Sequence, residues 1–119
     1  MPRTSIASQT PKGPYPGTVS ANLLDITYTA IDSTNHNQTL WAGNRMLLVA
    51  RNSGAGARTI TFTSIADSHN RTGDVTAFSM GAGEYAAFLF ERDGWQQTDG
   101  YLYFTGEHAE VLVAVLALA

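Results

Sequence analysis

The residues that could carry out chemistry in this chain of 119 residues are three histidines and a small set of carboxylates. His36, His69 and His108 each stand beside acidic or amide residues, in segments whose composition is typical of turns. None is spaced from another histidine as zinc ligands are, for example four residues apart on a helix. We therefore expect no metal site and interpret the three histidines as solvated turn residues.

The densest polar segment runs from Asp67 to Asp74 and offers oxygen ligands of the kind that hard cations prefer. Its residue order differs from that of an EF-hand loop, which disfavours a calcium site. Glu84 and Glu91 lie at predicted strand ends instead of sharing a cleft, as glycosidase carboxylates must. Residues 77–81 lack the first glycine of a Gly-x-Ser-x-Gly elbow. We predict no catalytic residue, no cofactor and no enzymatic activity.

Composition narrows the range of partners. Only 14% of the residues are charged, against roughly 25% in typical soluble proteins, so much of the surface must be uncharged and suited to burial against other proteins. The net charge of −3 disfavours nucleic acid, whose binding requires clustered Lys and Arg. The apolar run at residues 111–119 is too short for a membrane-spanning helix. Without a secretion signal at its start, the chain is expected to be made in the cytoplasm.

All four prolines fall within the first sixteen residues, and from Leu23 onwards the chain reads as a proline-free series of strands. This division predicts an extended N-terminal arm over residues 1–22 and one β-domain over residues 23–119. Because an arm of this composition cannot bury enough apolar surface to fold alone, we expect it to lie on another protein chain. The residues predicted to bind that partner are Arg3, Ile6, Pro11, Pro14, Tyr15 and Pro16.

The domain is predicted to be all-β: a single β-sandwich, jelly-roll-like, with about eight strands. Alternation over residues 25–31 predicts a first strand with Ile26 facing inward, and the apolar run within residues 44–51 predicts a core strand. A turn at residues 52–56 suggests that this core strand forms a hairpin with residues 58–63. Residues 84–91 are also predicted to form a strand. Because successive side chains of a strand point to opposite faces, Tyr85, Ala87 and Leu89 lie together on one side.

Aromatic residues give two alternative interpretations. Trp41, Trp95 and Tyr101 are candidate interface residues, because aromatic side chains in small β-domains usually anchor cores and interfaces. Alternatively, these residues and Tyr103 could form a platform for a sugar, which would make the protein a carbohydrate- or receptor-binding module.

The stretch from Asp25 to Leu118 resembles a family of small β-proteins of tailed phages, the head decoration or capsid cement proteins. The similarity lies in residues 42–45 leading into the apolar strand and Arg51-Asn52-Ser53-Gly54, in the Thr-rich strand at residues 59–62, and in the valine-rich ending at residues 113–116. The family's proline-rich segment before the penultimate strand is absent here, where residues 88–91 stand instead.

This resemblance implies a structural virion protein without an active site, bound to the outer surface of the capsid. Under the alternative interpretation, the carbohydrate- or receptor-binding module would belong to a virion or tail fibre. Its implied partners are the major capsid protein and neighbouring copies of itself. Cyclic assembly would close exposed sheet edges, and a homotrimer at local threefold positions is the expected form.

Overall fold

The computed structural model of the protein describes residues 2–10 and 25–118. Within those ranges the chain forms nine strands and no helix, so the all-β prediction is confirmed. In chain order the strands are β1 (Thr4–Ser5), β2 (Thr29–Ala30), β3 (Asn37–Leu40), β4 (Arg45–Asn52), β5 (Arg58–Thr63), β6 (Val75–Met80), β7 (Tyr85–Glu91), β8 (Tyr101–Gly106) and β9 (Val111–Leu118).

The strands form a β-sandwich with jelly-roll order. One sheet runs β1-β3-β8-β5-β6 and the other β2-β9-β4-β7. Strand β2 pairs with β9, β3 with β8, β4 with β7 and β5 with β6, all antiparallel, so the chain is a long two-stranded ribbon folded over on itself. This is the jelly-roll pattern expected from the sequence. The short β1 pairs in parallel with β3, and Gln9 forms a single parallel bridge with Leu116.

The core lies between the two sheets. Buried and more exposed side chains alternate along β4, β5, β8 and much of β9, and the buried ones point into the core. Phe62 lies at its centre, with its ring centroid 4.7 Å from that of Phe88, 4.8 Å from Phe90 and 6.2 Å from Phe104. Other large apolar side chains buried there include Met46, Leu48, Ile60, Met80, Leu102, Val111, Val113 and Val115. Side chains therefore fill the space between the sheets.

The expected hairpin between β4 and β5 is wrong, because these strands belong to different sheets. The chain crosses between the sheets at a corner built around the buried side chain of Asn52. Its Nδ2 donates to the carbonyls of Gly56 at 2.7 Å and Met80 at 2.9 Å, and its Oδ1 accepts from the Gly54 N–H at 3.0 Å. The turn residues read from the sequence thus form a corner and not a hairpin loop.

The first strand of the domain is shorter than expected, and its register differs. Only Thr29 and Ala30 pair with β9, and the buried apolar residue is Ile31, whose N–H donates to the Val111 carbonyl at 2.9 Å. Ile26, expected to face the core, is 44% exposed. The alternation of polar and apolar side chains over residues 25–31 indicated a strand, but it did not indicate which of these residues pair with another strand.

Residues 2–10 lie on the domain itself. The N–H groups of Thr4 and Ile6 donate to the carbonyls of His36 and Gln38, both at 2.9 Å, and the Gln9 N–H donates to the Val115 carbonyl at 2.7 Å. Since β3 and β9 belong to different sheets, this segment closes the sandwich along one side. Ile6 is only 5% exposed and belongs to the core.

Candidate functional site

The loop between β5 and β6, which supplied the candidate cation ligands, is held together by its own carboxylates. Asp67 Oδ1 accepts from the N–H groups of His69 at 2.8 Å and Arg71 at 2.9 Å, and its Oδ2 accepts from Arg71 Nε at 3.0 Å. Asp74 Oδ1 accepts from the N–H and the hydroxyl of Ser64, both at 2.8 Å. Hydrogen bonds from the Arg71 N–H to Asp67, and from Ser64 to Asp74, lower the pKa of both carboxyl groups.

A shallow pocket of about 220 Å³ lies between this loop and Trp95. Asp93 lines it, and both of its carboxylate oxygens accept hydrogen bonds from Ser68, one from the N–H and one from the hydroxyl, each at 2.8 Å. Trp95 is half-buried, with its ring centroid 4.8 Å from that of Phe90. Because both oxygens of Asp67 and of Asp93 already bind within the loops, the pocket offers structural carboxylates and not a pair set up for acid–base chemistry.

The three histidines are exposed and lie in separate turns. His36 has a φ of 67° in the turn before β3, and His108 Nδ1 accepts from the Glu110 N–H at 3.0 Å between β8 and β9. Within residues 2–10 and 25–118, no three His, Asp or Glu side chains come together as metal ligands would.

Two of the predicted arm residues bind the chain's own domain. The Arg3 guanidinium lies 4.1 Å from the centroid of the Tyr103 ring and donates to the Asn37 carbonyl at 2.9 Å. Ile6 is a core residue, as described above. These two side chains are therefore engaged within the molecule, and their contact with a partner stays a prediction. Pro11, Pro14, Tyr15 and Pro16 lie outside the described residues, so their role stays a prediction.

The candidate interface aromatics occupy different environments. Trp41 is buried in the core, and its indole Nε1 has no hydrogen-bond partner among the described residues. Tyr101 and Tyr103 are half-buried on the outer face of the five-stranded sheet, where Arg3 covers the Tyr103 ring. The Tyr103 hydroxyl donates to Asp99, and this hydrogen bond raises the pKa of the tyrosine. The four aromatic residues of the predicted platform therefore do not form one exposed surface.

The surface that the sequence reasoning missed is the outer face of the four-stranded sheet. Its apolar side chains lie in cross-strand rows, and we call the part on β4 and β7 the apolar strip: Leu47, Val49, Tyr85, Ala87 and Leu89. In register, Leu47 lies beside Leu89, and Val49 lies beside Ala87. The β4 members are half-buried, whereas Tyr85 is 59% and Leu89 53% exposed.

The apolar strip continues onto β9 and is bordered by charge. Leu116 pairs with Leu47 and is half-buried, so β9 adds to the apolar surface at that position, whereas Ala114, the partner of Val49, is fully buried. Arg51 lies 5.4 Å from the Tyr85 ring centroid at one end, and Arg45 pairs with Glu91 at the other. A contiguous apolar surface with a charged border is typical of a protein contact site. The alternation of residues 84–91 could have revealed it, but alternation does not tell which face is solvated.

No protein-family model, curated protein sequence or solved structure matches this chain. None of the described residues belongs to a helix long and apolar enough to span a membrane.

Proposed function

We propose that this protein is a structural virion component that decorates and stabilises the head of a tailed phage. The observation that carries the proposal is the apolar strip. Its residues Tyr85 and Leu89 are exposed on the outer face of a regularly paired sheet. A solvated face of an antiparallel sheet normally carries polar residues. An apolar outer face therefore favours a second protein as its natural partner.

The jelly roll supports the same proposal. Domains with this fold include capsid proteins, lectins and cupins. A cupin uses the space between its sheets for a ligand, whereas here Phe62, Phe104 and Met46 fill that space. A lectin-like role for Trp95, Tyr101 and Tyr103 has less support, since these rings are half-buried and Arg3 lies over one of them. The outer surface then remains as the functional part of the molecule.

The mechanism is differential binding. A decoration protein that binds the expanded capsid lattice more tightly than the unexpanded one stabilises the expanded form by that difference in affinity. The major capsid protein is the partner that we propose for the apolar strip, with the protein lying on the outer surface of the virion. The sequence predicted a homotrimer at local threefold positions, and this stoichiometry stays a prediction.

Cosedimentation with empty expanded phage heads tests the proposal. The wild-type protein should pellet with heads, and Leu89→Glu should bind roughly 30-fold more weakly, because burying a leucine contributes about 2 kcal/mol. The matched control is Leu40→Glu, since Leu40 is 58% exposed but belongs to the other sheet. The proposal fails if the wild-type protein stays in the supernatant, or if the two variants bind equally well.

A further inference from the structure

Strand β7 is an open edge. It pairs with β4 on one side, in unbroken register from Tyr85 opposite Arg51 to Glu91 opposite Arg45, and no described strand pairs with its other side. From Tyr85 to Phe90 it contains no charged residue, glycine or proline. An edge strand that is long, regular and apolar is a template for pairing with another chain, and natural proteins usually protect such edges.

The other sheet edges in the described part of the chain are protected. Strands β1 and β2 have only two residues each. Strand β6 carries a break in register opposite residues 60–62, with Ala77 at a φ of 50°. Bulges and short strands are the usual means of preventing edge pairing. The absence of any such feature from β7 therefore sets this edge apart.

We propose that β7 pairs antiparallel with β7 of a second copy of this chain, around a twofold axis at Phe88. All seven residues of the strand pair only in this register, which places Tyr85 opposite Glu91 and Ala87 opposite Leu89 of the second copy. The two four-stranded sheets then form one continuous sheet of eight strands. The contact is isologous, so it closes after two copies and gives a dimer in place of the trimer expected from the sequence.

The backbone of β7 is oriented for this pairing. The Glu84 carbonyl accepts from the Asn52 N–H at 3.0 Å. The backbone N–H and C=O groups of the even-numbered residues that follow in β7 therefore point towards β4. Because hydrogen-bonding groups alternate in direction along a strand, those of Tyr85, Ala87, Leu89 and Glu91 point to the open edge. These odd-numbered residues are the ones that face each other in the Phe88-centred register.

The side chains agree with this register. Ala87 lies opposite the larger Leu89 of the second copy, and Glu84 lies opposite Arg92, so the ends of the contact are of opposite charge. On the inner face, the exposed ring of Phe78 lies 5.2 Å from that of Phe88 and hence beside the axis, where a second copy would cover it. The edge is thus apolar on both faces and charged only at its ends.

Cysteine cross-linking tests the register, since the chain has no cysteine of its own. The double variant Ala87→Cys/Leu89→Cys should form a covalent dimer on mild oxidation, because directly opposed Cα atoms about 5.5 Å apart are within reach of a disulfide. Ala87→Cys and Leu89→Cys alone are the matched controls and should remain uncross-linked. Cross-linking of either single variant would require a different register and overturns the proposal, as does the absence of cross-linking from all three variants.

Light scattering on the unmodified protein gives a second readout. We expect twice the chain mass of 12.8 kDa, and the chain mass alone for Ala87→Pro, which removes an outward N–H and is tolerated at an edge. A far-ultraviolet circular dichroism spectrum identical to that of the wild type confirms that Ala87→Pro is folded. A wild-type monomer or trimer overturns the proposal. Head binding is measured separately, so a dimer that does not bind heads contradicts the proposed function alone.

Discussion

The side-chain amide of Gln9 forms two hydrogen bonds with the backbone of Thr27, donating from Nε2 to the carbonyl at 2.6 Å and accepting at Oε1 from the N–H at 2.9 Å. The main chain of Gln9 also bonds with β9, donating to Val115 at 2.7 Å and accepting from Ala117 at 2.8 Å. A single residue of the N-terminal segment is thus joined to β9 and to the residues that precede β2. The segment is a structural part of the sandwich.

Ile6 should contribute to the stability of the domain. Ile6→Ala should lower the free energy of unfolding by about 2–4 kcal/mol, because it leaves a cavity in the core. Ile26→Ala is the same substitution at a site that is 44% exposed, against 5% for Ile6, and should change stability by less than about 0.5 kcal/mol. Urea denaturation measures both. Equal effects of the two substitutions would show that Ile6 is not part of the core.

Asp32 should make the attachment of the N-terminal segment dependent on pH. The Thr4 hydroxyl donates to Asp32 Oδ2 at 2.6 Å, and this bond, with those from the Asn35 and Thr34 N–H groups, lowers the pKa of Asp32 from 3.8 to about 2. Between these pH values the unfolded chain binds more protons than the folded one. The stabilisation is therefore complete above about pH 4 and is lost as the pH falls towards 2.

Thermal unfolding between pH 5 and pH 2 measures this dependence. The wild-type midpoint should fall with pH, and Thr4→Val should reduce the part of the fall that comes from Asp32, because it removes the strongest hydrogen-bond donor. Asp67 and Asp74, whose pKa values are also lowered, contribute in the same direction in both proteins. Identical pH profiles for the two proteins would contradict the role of the Thr4 hydroxyl.

Asn52 should be required for the corner between β4 and β5. Asn52→Ala leaves the carbonyls of Gly56 and Met80 without their donor, and an unsatisfied buried group costs about 1–3 kcal/mol. We expect a loss of at least about 2 kcal/mol in the free energy of unfolding. Asn44→Ala removes the same side chain from an exposed position and should be nearly neutral. A neutral Asn52→Ala would show that the corner forms without this side chain.

Local pattern was sufficient to predict most strands. The apolar run in β4 and the alternation in β5 and β7 depend on neighbouring residues, and the burial of Ile60 and Phe62 fits the alternation in β5. The assignment of strands to sheets depends on pairing between distant residues, which is why the corner at Asn52 was taken for a hairpin. Ile6 was missed as a core residue because it is a single apolar position in a polar, proline-bearing segment.

The candidate site was accessible from sequence only in part. The alternation of residues 84–91 correctly grouped Tyr85, Ala87 and Leu89 on one side of a strand. Which side faces solvent depends on where the second sheet packs, and that is decided by distant residues such as Phe62. The surface role of the strip therefore became visible only with the sandwich assembled.

Hydrogen–deuterium exchange, on the free protein and on the protein bound to phage heads, tests most directly whether the N-terminal segment belongs to the domain. The amide groups of Thr4, Ile6 and Gln9 each donate to a carbonyl of β9 or of the chain at β3. We expect these amides to be protected in the free protein, with no further protection on heads. Exchange at the rate of an unstructured peptide in the free protein, with protection appearing only on heads, would contradict the account.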